Sequence, residues 1–138
     1  MTLLDEQRQE ALELWKLVLE KKQAAETLVV AGLFGDGLSR AYYSGFHAVT
    51  LLFFLQGVTF SSHKQILGQF NKVFVDSGAF SEDVARKLEA LFDARQSGDY
   101  DHHVTFDKEE AEEGLASLEI ILAAIRAHVV STYGLSLA

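Results

Sequence analysis

Apolar residues recur at helical spacing along nearly the whole chain. From Leu4 to Leu33 the positions Leu14, Val18, Ala25 and Leu28 keep one face, with Glu13, Lys16, Glu20 and Lys21 mostly on the other. That pattern predicts a first helix over 4–33. Gly32, Gly35 and Gly37 then cluster, which predicts a turn whose glycines are free to take positive φ. A second helix over Leu38–Gln56 is apolar on nearly every side, and Gly57 ends it. Such a helix belongs at the centre of a bundle or in a subunit interface. Its apolar faces exceed what a five-helix monomer is expected to cover, so a homodimer is expected.

Ser62 with Gln65 three residues on has the spacing of a capping box. It opens a third helix with the stripe Ile66, Phe70, Val73 and Phe74, stopped at Gly78. Ser81 starts a fourth helix, with Glu82 and Asp83 in its first turn and the stripe Val84, Leu88, Leu91 and Phe92. Residues Gly98 to Phe106 read as a loop. Asp107 and Glu110 cap a fifth helix with the stripe Ala111, Leu115, Leu118, Leu122, Ile125 and Val129. Gly134 stops it, and the last four residues read as a tail. With no repeat or linker, residues 1–138 form one all-α domain, an up-and-down bundle of four to five helices.

Composition narrows the picture. The 138 residues include no cysteine, so disulfide, thiol and cysteine-zinc chemistry are excluded. They include no proline, which suits long helices and few loops. Twelve basic against twenty acidic residues give a net charge of −8, which argues against broad coating of nucleic acid or anionic membrane but not against a local basic site. The most apolar stretch, Phe46 to Phe60, is too short and too interrupted to span a bilayer. The first ten residues do not resemble a signal sequence. A cytoplasmic protein is expected.

The fourth helix carries the sharpest chemical signal. Seven residues beyond Leu88 stands Arg95, back on the apolar stripe after about 700° of rotation. A guanidinium there needs an anionic partner or a polar cleft. A structural ion pair with an acid on the first or fifth helix would satisfy it equally well. Downstream come Asp99, Tyr100, Asp101, His102 and His103. Arg can clamp a phosphate, His can move a proton near neutral pH, and a Tyr hydroxyl can position ribose or phosphate. Together they could cleave RNA without a metal, Arg95 stabilising charge on phosphorus and His102 assisting attack by the 2′-OH. The same residues also make an ordinary solvated loop. Arg40, Tyr43 and His47, spaced three and four apart, share one face of the second helix. They are candidate substrate-binding residues with Asp99, or buried structural polar groups. Adjacent histidines in a loop make a poor metal site, and no His-x-x-x-His or Glu-x-x-His pair occurs, so neither metal nor cofactor is expected. The glycines at 32–37 lack the Lys-Ser/Thr ending of a phosphate loop, and no helix offers the basic exposed face of a helix-turn-helix.

Three segments carry a family resemblance. Ser39-Arg40-Ala41-Tyr42-Tyr43-Ser44-Gly45-Phe46-His47-Ala48 resembles the R-A-Y-Y-A-x-F-H-A signature of HEPN domain proteins. Ser62-His63-Lys64 resembles their S-H-K step, and Arg95 through Asp99-Tyr100 their R-x-x-x-D-Y segment. The resemblance spans roughly residues 25 to 125. It implies a four- to five-helix bundle that commonly dimerises. It also implies either a toxin-like, metal-independent endoribonuclease, often paired with a minimal nucleotidyltransferase, or a non-cleaving nucleotide-binding or complex-forming module. The catalytic pattern of the family, Arg followed after four to six residues by His, is met at its upper limit, with six residues between Arg95 and His102. Gln96 departs from the Asn, Asp or His that usually follows the Arg. Tyr100 would be catalytic in the first reading, and in the second would join an interface or accept a modification.

Overall fold

The computed structural model describes residues 2–100 and 102–138, the side chains of Asp99 and Tyr100 excepted. Five α-helices are found among them: α1 Asp5–Val30, α2 Phe34–Leu55, α3 His63–Phe70, α4 Glu82–Tyr100 and α5 Lys108–Tyr133. No strand occurs among the described residues. The all-α bundle expected from periodicity is the fold.

The caps read from sequence are made. Ser62 Oγ accepts from the Gln65 amide at 3.2 Å, and Ser81 Oγ from the Val84 amide at 3.3 Å. Asp107 accepts from the Glu110 amide at 2.8 Å while Glu110 accepts from the Asp107 amide at 3.2 Å, closing a reciprocal capping box on α5.

α2 runs through the middle, packed on α1, α4 and α5. Tyr42, Ala48, Val49, Leu51 and Leu52 are buried along it. Ala11, Trp15, Val18, Ala25 and Val29 of α1 close one side. Leu118, Ile121, Leu122, Ile125 and Val129 of α5 close another. Ser44, fully buried on α2, donates to the Val18 carbonyl at 2.8 Å, so its hydroxyl is satisfied without water. The bundle covers α2 more completely than its composition led one to expect. The large exposed apolar side chains among the described residues lie on α1, α5 and the loops, with Leu12, Ile120 and Val130 among them, and none is on α2.

Four details differ from the sequence reading. First, the glycine cluster is not all turn. Gly32, at φ 83°, makes the turn after α1, but Gly35 and Gly37 lie inside α2. A Cβ on Gly37 would stand 2.6 Å from Val29 Cγ2 and 3.2 Å from the Ala25 carbonyl oxygen, so this glycine serves the close approach of α1 and α2. Second, the third helix leaves α geometry at Asn71–Val75, a π-helical turn closed by the Asp76 amide on the Asn71 carbonyl at 2.9 Å. Third, α4 passes through Gly98 instead of ending there. The helix needs a glycine here because the Phe106 ring packs where a side chain would be, with Cε2 2.9 Å from a Cβ built at that position. Fourth, the last residues are not a loose tail. Leu135 and Leu137 are buried, and Trp15 Nε1 donates to the Ala138 carbonyl at 2.7 Å.

One helix among those described, α5, is long and apolar enough by length and composition to cross a membrane. The sequence had singled out the 46–60 stretch instead. One face of α5 is buried in the bundle through Ala111, Leu118, Ile121, Leu122, Ile125 and Val129.

Candidate functional site

The site forms where α2, α3 and α4 meet. The stripe of α4 that buries Val84, Leu88 and Leu91 carries Arg95 inward, half-buried, as the rotation arithmetic required. There its Nη2 donates to the Tyr43 hydroxyl at 2.8 Å. The guanidinium carbon lies 5.2 Å from the Tyr43 ring centre and 5.8 Å from that of Tyr42, within cation–π range of both. Two consecutive residues of α2 therefore grip one cation.

Tyr42 is fully buried, and its hydroxyl is 2.9 Å from His63 Nδ1. His63 is the first residue of α3, so the Ser62 cap fixes where its ring emerges. The imidazole stacks on Phe46, with ring centres 3.8 Å apart and planes 24° apart, and stands edge-on to Tyr43 at 5.9 Å. Phe46 follows Tyr42 by four residues, one turn along the same face of α2. Phe92 of α4 closes the far side of the Tyr42 ring at 5.5 Å.

Burial sets the protonation. It pushes the Tyr42 phenol well above its usual range, against the opposing pull of the Arg95 charge. Burial lowers the His63 pKa, and the Arg95 charge lowers it further. His47 is lowered too, by burial first and then by Lys21 and His63. Both imidazoles are therefore neutral at pH 7, beside a permanent cation.

The expected site residues fare differently. Arg95 and Tyr43 come together directly. His47 stands next along α2, with its ring 6.4 Å from that of Tyr43. Arg40, a turn before Tyr43, is exposed. His102 lies in the surface turn after α4, exposed, with its ring 4.0 Å from that of His103. The side chains of Asp99 and Tyr100 lie outside the described residues, as does Asp101.

His63 and Tyr42 were missed as site residues: Tyr42 counted among the apolar positions of the second helix, and Ser62-His63-Lys64 marked the family resemblance with no role given to its histidine. They are 21 positions apart, so no local spacing connects them. The available signal was Tyr42 on the face of α2 shared with Phe46, opposite a histidine that opens a helix.

The fold and site define a class: a small helical bundle that presents an arginine among tyrosines and histidines between its second and fourth helices. The chain belongs to the HEPN domain family, whose family model matches residues 11–128. It is similar to a "UPF0332 protein" of Thermotoga maritima, 28% identical over 120 residues, covering 86% of this chain and 91% of that protein. It is also similar to a Methanocaldococcus jannaschii protein named "Putative toxin", 30% identical over 122 residues, covering 86% of this chain and 83% of that one. A second protein so named in that organism is 29% identical over 122 residues, with 86% and 88% covered. Two of these relatives carry the name of a toxin, and what the matches show for this chain is membership of the HEPN family.

Proposed function

We propose that the protein is a HEPN-type, metal-independent endoribonuclease of toxin character, acting as a homodimer in the cytoplasm. The observation that carries this reading is the placement of Arg95. A guanidinium held half-buried by Tyr43, between two aromatic rings, is pre-aimed and partly desolvated, so it interacts with a phosphate far more strongly than a free surface arginine.

In the reaction the ribose 2′-oxygen attacks the adjacent phosphorus, and its proton passes to the His102 imidazole. The bond from phosphorus to the 5′-oxygen breaks, that oxygen takes a proton from water, and the His102 imidazolium returns its proton to the hydroxide so formed. The products are a 2′,3′-cyclic phosphate and a 5′-hydroxyl. Arg95 neutralises the charge that grows on the phosphoryl oxygens. Tyr43 keeps the guanidinium in place and His47 and Arg40 extend the binding face along α2, while Tyr100 is assigned to catalysis with Arg95 and His102, and Asp99 to substrate binding. Dimerisation would bring two Arg95/His102 pairs into one cleft.

The test is cleavage of a mixed RNA pool in the presence of chelator. Wild-type protein is expected to cut, and Arg95→Ala and His102→Ala are expected not to, with helical circular dichroism unchanged. Undiminished cutting by either variant refutes its assigned role. Sedimentation of a monomer at micromolar concentration removes the dimer.

A second reading is a non-catalytic nucleotide-binding module or helical partner of a minimal nucleotidyltransferase. One observation favours it: His102 stands exposed beyond α4 while Arg95 is half-buried against α2. Stable co-purification with such an enzyme, together with no cleavage, would select it.

A further inference from the structure

The Tyr42–His63 pair has no part in the cleavage step above, yet its geometry is built. A fully buried hydroxyl must be hydrogen-bonded, and the group facing this one is His63 Nδ1 at 2.9 Å. The phenol holds a single hydrogen. If Nδ1 carried the ring proton, the phenolic hydrogen would be left in the core without an acceptor. The hydroxyl therefore donates to Nδ1, and the neutral imidazole carries its hydrogen on Nε2. That outer nitrogen is not shut in. Among the described residues the one buried side-chain polar atom lacking a partner is Arg126 Nε. The His63 ring cannot easily turn away, because Phe46 stacks on one face and Tyr43 stands against its edge. The result is an N–H donor of fixed direction at the surface.

Its neighbour decides what it binds. Arg95 lies against the same two tyrosine rings that border His63, at 5.8 and 5.2 Å from their centres. A permanent cation beside a rigid neutral donor suits an anion with several acceptor oxygens. We infer that His63 is a second phosphate-binding residue, its Nε2–H donating to a phosphate oxygen of the polynucleotide whose charge Arg95 holds. This rests on Arg95 as the phosphate-binding residue proposed above, and adds to it the opening of α3 as the other wall of the site. A neutral donor gives direction without raising the net charge, which suits an acidic protein that must seat one backbone without coating itself in nucleic acid.

The experiment separates the two nitrogens. His63→Asn places an amide oxygen near Nδ1, where the Tyr42 hydroxyl can still donate, but removes the outward N–H. His63→Gln places an amide N–H near Nε2. The probe is a fluorescent 2′-O-methyl oligoribonucleotide, which cannot be cleaved, and binding to the full chain is read by anisotropy. His63→Asn is expected to bind about tenfold or more weakly, and His63→Gln to recover most of the loss. Arg95→Ala is expected to weaken binding at least as much as His63→Asn. Long-range proton–nitrogen spectra of the imidazole should show hydrogen on Nε2.

If Arg95→Ala weakens binding and His63→Asn does not, the inference falls and the reading of Arg95 stands. If wild-type protein binds, His63→Asn weakens it and no RNA is ever cleaved, the inference stands and the nuclease reading falls. A wild-type protein that does not bind the probe, or an imidazole protonated on Nδ1 alone, overturns the inference.

Discussion

Replacing Gly37 by Ala tests whether the α1–α2 packing is set by that missing side chain. Inside a helix the change should stabilise, since Ala is better than Gly by about 1 kcal/mol. Here the new methyl would sit 2.6 Å from Val29 Cγ2 and 3.2 Å from the Ala25 carbonyl oxygen, against an ordinary contact of roughly 3.5–4 Å. Val29 is β-branched and buried, and the carbonyl is backbone, so relief requires α1 to move by about an ångström. Overpacking of this kind costs about 1–3 kcal/mol, which outweighs the propensity gain at most values in that range. The net loss, up to about 2 kcal/mol, lowers Tm by up to roughly 7 °C in a domain of this size. Gly35→Ala is the control. Its methyl would meet only the Phe106 ring, at an ordinary 3.6 Å, so the propensity term acts unopposed and Tm should hold or rise. Thermal melts of both variants by far-ultraviolet circular dichroism decide the matter. A Gly37→Ala protein that melts at or above wild type would refute the close-approach argument.

Two further predictions concern titration and the buried phenol. The pKa values of His47, His63 and His128 are all lowered by burial from the ordinary 6.5. Folding favours their neutral forms, so the stability present above about pH 6.5 is lost as pH falls through their folded values; Tm should drop between about pH 7 and about pH 5, and a flat profile would contradict it. Tyr42→Phe removes the hydroxyl that holds His63 Nδ1 and should cost about 1 kcal/mol. A Tyr42→Phe protein that melts at or above wild type would show that this bond adds nothing to the fold.

Much of this molecule is legible in the sequence because helices are local. The Ser62, Ser81 and Asp107 caps each depend on residues three apart, and all three form. The inward turn of Arg95 followed from one rotation sum. What was not legible depended on distant neighbours. Gly98 has the composition of a helix stop, but Phe106 folds back on it and α4 continues. Gly37 has the look of a turn residue, but Val29 needs its space. Leu135 and Leu137 follow a helix stop, yet the Trp15 indole anchors the chain end that buries them. The same limit applied to the site. Arg95 and Tyr43 could each be chosen by type and face, but which histidine stands beside them depends on where α3 docks. The sequence pointed to His102, six residues down the chain from Arg95. The docking of α3 brings in His63.

The enclosure of α2 and the first turn of α3 give the two halves of this site different lifetimes. Amide hydrogens around Tyr42 and Tyr43 lie in a helix walled in by three others, so they reach water only when the entire domain opens. The first amides of α3 have no partner within the helix, so they exchange without dismantling the rest. Deuterium exchange should therefore be fast at the start of α3 and very slow at the tyrosines. Water therefore samples the backbone that carries the imidazole far more often than the backbone that carries the arginine's two tyrosines, although the ring itself stays clamped by Phe46 and Tyr43.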